Sequence, residues 1–149
     1  MNKRSDLLSQ LPDMISVLQS GKPIEFETHG FSMIPLLHDG GDRVILKKAD
    51  KPLEAGDVAL CKTDDNRFVL HRVISVDNGY TLKGDNCVTT EHCSCDENVI
   101  GVAVAFIRNG KLIETADKKY LFYVRHRAIF LKLWRLFWSI ADRFVKIIR

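Results

Sequence analysis

Ser32 and His71 are the two side chains whose chemistry could combine into a reaction. Ser32 stands in His29-Gly30-Phe31-Ser32-Met33-Ile34-Pro35-Leu36. Gly30 permits an unusual backbone conformation or the close approach of another segment, and Pro35 restricts the chain soon after the serine. A serine held stiffly between a strand and a loop is a place where a nucleophile can be exposed, although most serines beside glycine are turn residues. Its hydroxyl attacks a carbonyl at neutral pH only with a base within hydrogen-bond reach. His71, in Val69-Leu70-His71-Arg72-Val73-Ile74, is the best candidate. The ring stands in an otherwise apolar, β-branched strand, where a polar group needs a partner. On position alone the plainer reading is a core histidine bonded to a backbone carbonyl. Arg72 points to the opposite face, and a guanidinium keeps its proton, so it cannot be the base.

A rival site lies in Cys87, His92, Cys93 and Cys95, four potential zinc ligands within nine residues. The Cys-x-Cys spacing is tighter than in the usual zinc pairs, and no second cluster backs it. A surface loop with free or paired cysteines, bordering a cleft, is the better reading. No metal and no cofactor is expected.

The elements that must position these residues are mostly strands. Between Ile24 and Leu112 the pattern predicts strands at Ile24–Thr28, Arg43–Lys47, Val58–Lys62, Phe68–Val76, Tyr80–Lys83 and Val99–Arg108. They are separated by clusters of Asp, Asn and Gly, among which Asn78-Gly79 and Asn109-Gly110 are hairpin signals. Gly41-Asp42 and Gly56-Asp57 predict bends in which the aspartate bonds local backbone. The fold class is therefore mainly β and antiparallel. A short helix precedes it, with Ser5 as its cap, Leu7, Leu8, Leu11, Met14, Ile15 and Leu18 at helical spacing, and Gly21 and Pro23 at its end.

The formal net charge of +3 conceals an asymmetry. Residues 1–117 carry 13 lysines and arginines against 18 acids, a formal −5, whereas residues 118–149 carry nine against Asp142 alone, a formal +8. This divides the chain into a β-rich domain, 1–117, and a basic helical tail, 118–149. Over Ala128–Arg149 the polar residues Lys132, Arg135, Ser139, Asp142, Arg143, Lys146 and Arg149 recur at steps of three and four, leaving a broad apolar face with Trp134 and Trp138. Such a helix suits a membrane surface, and packing against the β-domain or a second subunit is the alternative. It is too apolar to track phosphates, so no nucleic acid is expected. No stretch has the length or apolarity of an export signal or a spanning helix. The expected location is cytoplasmic, at the inner face of the membrane, with the cysteines as thiols.

Six segments in order resemble the LexA/signal-peptidase superfamily of serine peptidases: Gly30-Phe31-Ser32-Met33-Ile34-Pro35, Gly41-Asp42-Arg43-Val44, Gly56-Asp57-Val58, His71-Arg72-Val73, Lys83-Gly84-Asp85-Asn86 and Val99-Ile100-Gly101. Their order and spacing run across about 75 residues, half the chain. The resemblance implies an antiparallel β-domain and a serine endopeptidase. Its nucleophile would be Ser32 and its base His71, as in the Ser-His signal peptidases of archaea and the endoplasmic reticulum. Asp85 is implied as the acid that orients His71. A second family acid falls on Glu91, a poorer match because aspartate is usual there. Met33 and Pro35 are the implied substrate-binding positions, and the implied substrate is an extended peptide or protein.

Three departures qualify the resemblance. Gly30 stands where signal peptidases carry a serine ahead of the nucleophile, so an oxyanion would rest mainly on backbone N–H groups, including that of Ser32. No anchor precedes the nucleophile. Nor do the residues before Ile24 suffice for a DNA-binding domain of the repressor kind. A catalytically inactive peptide-binding module, or a membrane-surface adaptor, is the competing expectation.

Overall fold

A computed structural model describes the backbone of residues 3–148; the side chains of residues 1–8, Trp134, Ser139 and residues 141–149 lie outside the described set. Ten helices and strands follow in the order α1 (Lys3–Gln19), β1 (Ile24–Glu27), β2 (Arg43–Lys47), β3 (Val58–Lys62), β4 (Phe68–Ser75), β5 (Tyr80–Lys83), β6 (Glu91–Cys93), β7 (Val99–Arg108), β8 (Lys111–Glu114) and α2 (Lys118–Ile148). The mainly antiparallel β-fold, with a short helix before it and a helix after it, is the fold class expected. β6 and β8 are additional strands. The first helix starts at Lys3, so Ser5 lies inside it and is not its cap. The reason it ends where it does is the expected one. Gly21 adopts φ 81° and donates to Leu18 O, while Lys22 N donates to Val17 O, which closes the last carbonyls in a Schellman turn.

One sheet holds all eight strands in the order β1-β2-β7-β3-β4-β5-β6, with β8 on β7. The ten-residue β7 is its spine, pairing β2 along one edge and β3, then β8, along the other. Both asparagine-glycine pairs turn hairpins with positive φ at each residue: Asn78 (54°) with Gly79 (99°), and Asn109 (47°) with Gly110 (72°). That conformation matches the twist of the flanking strands.

The sheet is buried on both faces, and β3 shows how. Val58 and Leu60 enter one core with Leu11, Leu18, Leu37, Phe106 and Tyr120, while Ala59 and Cys61 enter a second with Val69, Val73, Leu82 and Cys93. A strand apolar on both sides reads as a continuous apolar run, as Val58-Ala59-Leu60-Cys61 does. The two bends work as expected. The Asp42 carboxylate accepts from His38 N at 2.8 Å and Asp57 accepts from Glu54 N at 2.8 Å, beside Gly41 (φ 118°) and Gly56 (φ 107°).

The basic tail is one helix, α2, whose root belongs to the β-domain. Tyr120 is buried in the first core, Tyr123 and Val124 pack against it, and Val124 lies over Gly56. Leu131 is the last half-buried position among the described side chains; every described side chain from Lys132 to Ile140 is exposed. The expected cations Arg143, Lys146 and Arg149 lie outside the described side chains. Among the described residues no helix is long and apolar enough to cross a membrane.

The two hairpin glycines offer a comparison. A Cβ at Gly79 would stand 2.6 Å from Cys93 O, whereas a Cβ at Gly110 meets nothing within 4 Å. Gly110→Ala should cost only the left-handed backbone penalty, about 1 kcal/mol, and Gly79→Ala clearly more, because strand backbone must also shift. Urea denaturation of the two variants checks the order.

Candidate active site

β4 carries adjacent residues to opposite faces, and this alternation builds the site. His71 lies on one side and Arg72 on the other. The His71 ring is nearly buried, and its Nδ1 lies 2.9 Å from Glu91 Oε2, also nearly buried, on edge strand β6. A carboxylate can only accept, so in this pair Nδ1 donates, and in the neutral ring the lone pair belongs to Nε2. The partner of His71 is thus a carboxylate and not a backbone carbonyl.

Ser32 lines the same cavity as His71 and Glu91, a space of about 550 Å³. Phe26, Met33, Leu37, Leu60, Phe68 and Leu70 give that cavity an apolar wall. The serine is held through its backbone. Asn86 N donates to Ser32 O at 2.8 Å, and Asn86 Nδ2 donates to Phe31 O at 3.1 Å. Gly84 lies directly against it, since a Cβ there would stand 2.6 Å from Ser32 O and 3.0 Å from Ser32 Cβ. Here the glycine is required by close approach, not by an unusual φ. Gly30 does adopt φ 100°, and its N–H donates to Asp39 Oδ1 at 2.8 Å.

Asp85 does not orient His71. It is buried on the other side of the sheet in a two-point pair with Arg72, with Nε to Oδ1 at 2.8 Å and Nη2 to Oδ2 at 2.7 Å. Tyr123 Oη donates to Asp85 Oδ2 at 3.0 Å. Arg72 Nη1 donates to Gly56 O at 2.7 Å and to Tyr120 Oη at 3.0 Å. Burial alone would ease the proton off Arg72; the Asp85 carboxylate outweighs it and raises the pKa above its ordinary value. Burial likewise raises both tyrosine hydroxyls, so they stay neutral. The reason for the misplacement is strand parity. Arg72 pairs Lys83 across the β4–β5 ladder, and the turn beyond it delivers Asp85 to the arginine.

Among the other expected positions, Met33 lines the cavity, whereas Pro35 is half-buried in the turn leading to the core residues Leu36 and Leu37 and lies outside the cavity lining. The cysteine segment is dispersed. Cys61 and Cys93 are buried in the second core, Cys87 is half-buried and Cys95 is exposed, all four as free thiols. Among the described residues no group of three or more His, Cys, Asp and Glu could hold a metal ion. Cys87 lies near Ser32 through Gly84, but burial and then the Glu91 charge push its thiol up, so it is a poor rival nucleophile.

Edge strand β6 is clipped by Asp64. Its carboxylate accepts from Ser94 Oγ (2.6 Å) and Ser94 N (3.0 Å) and lies 2.9 Å from His92 Nδ1. Ser94 and His92 together hold the Asp64 carboxyl down to about 2. Comparison with protein-family models and with curated proteins found no match.

Sequence reasoning missed the roles of Gly84, Asn86, Tyr120 and Tyr123, and ranked Glu91 below Asp85. The signal for the ion pair was present: an arginine inside Leu70-His71-Arg72-Val73-Ile74 must be buried, and a buried guanidinium demands an acid.

Two predictions follow from the geometry of this site. Asp85→Asn leaves the Arg72 charge unpaired and should destabilise the fold by about 3–5 kcal/mol, read by chemical denaturation. The Asp64 clip has a depressed folded-state pKa, so its contribution is present above the ordinary carboxylate range and lost as pH falls towards about 2. Asp64→Asn should remove that acid-limb loss, which amide exchange at β6 between pH 5 and pH 2 measures.

Proposed function

We propose that the chain is a serine endopeptidase of the LexA/signal-peptidase type, acting through an acyl-enzyme on Ser32. The observation that carries this reading is the nearly buried His71–Glu91 pair opening onto the cavity that Ser32 lines. In the proposed reaction Ser32 Oγ bonds to the scissile carbonyl carbon as its proton passes to His71 Nε2. The tetrahedral oxyanion rests on backbone N–H groups, that of Ser32 among them. Collapse breaks the C–N bond, and the proton moves from Nε2 to the leaving amine. A water then repeats the sequence on the ester and frees Ser32.

Glu91 takes the role that the resemblance implied for Asp85. It fixes the tautomer with Nδ1 protonated and stabilises the imidazolium that forms. Arg72 and Asp85 act as positioning residues, through the backbone on either side of His71 and Ser32. The apolar wall around Met33 supports an extended peptide with small or apolar side chains near the scissile bond. The setting inferred is the cytoplasm, where free thiols persist, with removal of a leader from a precursor peptide as the task.

The test compares new protein N-termini in native cells that express the wild type, Ser32→Ala, His71→Ala or Glu91→Gln. Termini absent with Ser32→Ala and His71→Ala identify the substrate and support the reading. With that substrate purified, Glu91→Gln should lower kcat by roughly 10²–10⁴-fold with KM little changed, because it acts through the histidine. Identical termini in all four strains at equal expression would make the chain a peptide-binding module of this fold.

A further inference from the structure

The half of α2 that leaves the β-domain has no role in the proposed reaction, and its surface is unlike the rest of the molecule. The helix is 31 residues long, about 46 Å at 1.5 Å per residue, yet among its described side chains burial stops at Leu131. Beyond that point Leu133, Leu136, Phe137 and Ile140 are 58%, 57%, 64% and 45% exposed, and Ile129 just before them is 59% exposed. Steps of three and four place these five on one side of the helix. The described cations Arg125 and Lys132 are exposed along one border of that stripe, and Arg135 is exposed farther round the helix, beyond Lys132.

We infer that this half of α2 is a docking surface for an anionic lipid bilayer, with the helix lying in the plane of the headgroups. Two features select that occupant. Exposed apolar residues in a continuous helical stripe need an apolar phase, and a bilayer interface supplies one at a depth of about 5–10 Å. The cations beside the stripe then lie level with lipid phosphates, each strengthening attachment to an anionic leaflet. A second copy of the chain fits less well. Packing two such stripes together would bring the cationic borders of both helices side by side, where like charges repel. Residues 118–149 carry a formal +8 and the remainder −5, so the chain is polarised, with its cationic end on the helix that meets the lipid. The root of α2 stays fastened to the sheet by Tyr120 and Tyr123, so the β-domain is held beside the bilayer.

The experiment uses the full chain and vesicles of phosphatidylcholine alone or with one third phosphatidylserine. Both tryptophans, Trp134 and Trp138, lie on α2, so their emission reports on this helix alone. We expect sedimentation with the anionic vesicles and a blue shift of tryptophan emission. Binding should weaken about tenfold or more in the neutral vesicles, and likewise in Lys132→Glu/Arg135→Glu. Leu133→Glu/Phe137→Glu should abolish it at exposed positions where the fold has no stake, and unchanged circular dichroism and urea midpoints check that. Equal partitioning into neutral and anionic vesicles, or none into either, overturns the inference. So does a concentration-dependent dimer that Leu133→Glu/Phe137→Glu dissolves, with no vesicle binding by the wild type; the stripe would then be an interface between two copies.

Discussion

A guanidinium with no exposed surface cannot stand in a protein interior without a counter-charge. Arg72 is fully buried, and four groups from three other parts of the chain converge on it: Asp85, Gly56 O, Tyr120 and, through Asp85, Tyr123. Replacing such a pair by well-packed apolar residues is often neutral or stabilising, so its value is in what it locates. The pair fixes the turn after β5, and that turn carries Gly84 and Asn86 onto the backbone of Ser32. It also fixes the root of α2. One strand thus supports the candidate histidine on one face and, a residue later, the anchor of the surrounding structure on the other.

The candidate site follows from that arrangement. A nucleophile on a loop would be mobile unless something stiffer held it. Here the stiffness is borrowed from the sheet, since backbone groups of the Ser32 segment accept hydrogen bonds from Asn86 while Gly84 admits close contact. One wall of the cavity is apolar, which strengthens the polar contacts beside it. These features hold the Ser32 backbone beside a cavity that His71 on β4 and Glu91 on β6 also line.

Much of the fold was legible in the residues because its signals are local. Asn78-Gly79 and Asn109-Gly110 specify their turns within two residues, and Arg43–Lys47, Val58–Lys62, Tyr80–Lys83 and Val99–Arg108 coincide with the strands found. β6 is three residues long, too short for any period to declare itself, and it carries Glu91. The supporting acid was therefore hidden, and strand parity, which had already sent Arg72 away from His71, was not carried forward to Asp85. Ser32 and His71 were legible only in combination. What holds Ser32 in place is the contact of its segment with Gly84 and Asn86, more than fifty residues away, which no local pattern reveals.

The placement of Glu91 on β6 has a further consequence. Edge strands open more readily than the sheet interior, and this one is held by a single ladder and a solvent-exposed clip at Asp64. A brief local opening there would withdraw Glu91 from His71 and Cys93 from the second core, while Arg72, the first core and α2 remained intact. On the proposed reading, being folded and being ready to react are then separate equilibria in this molecule.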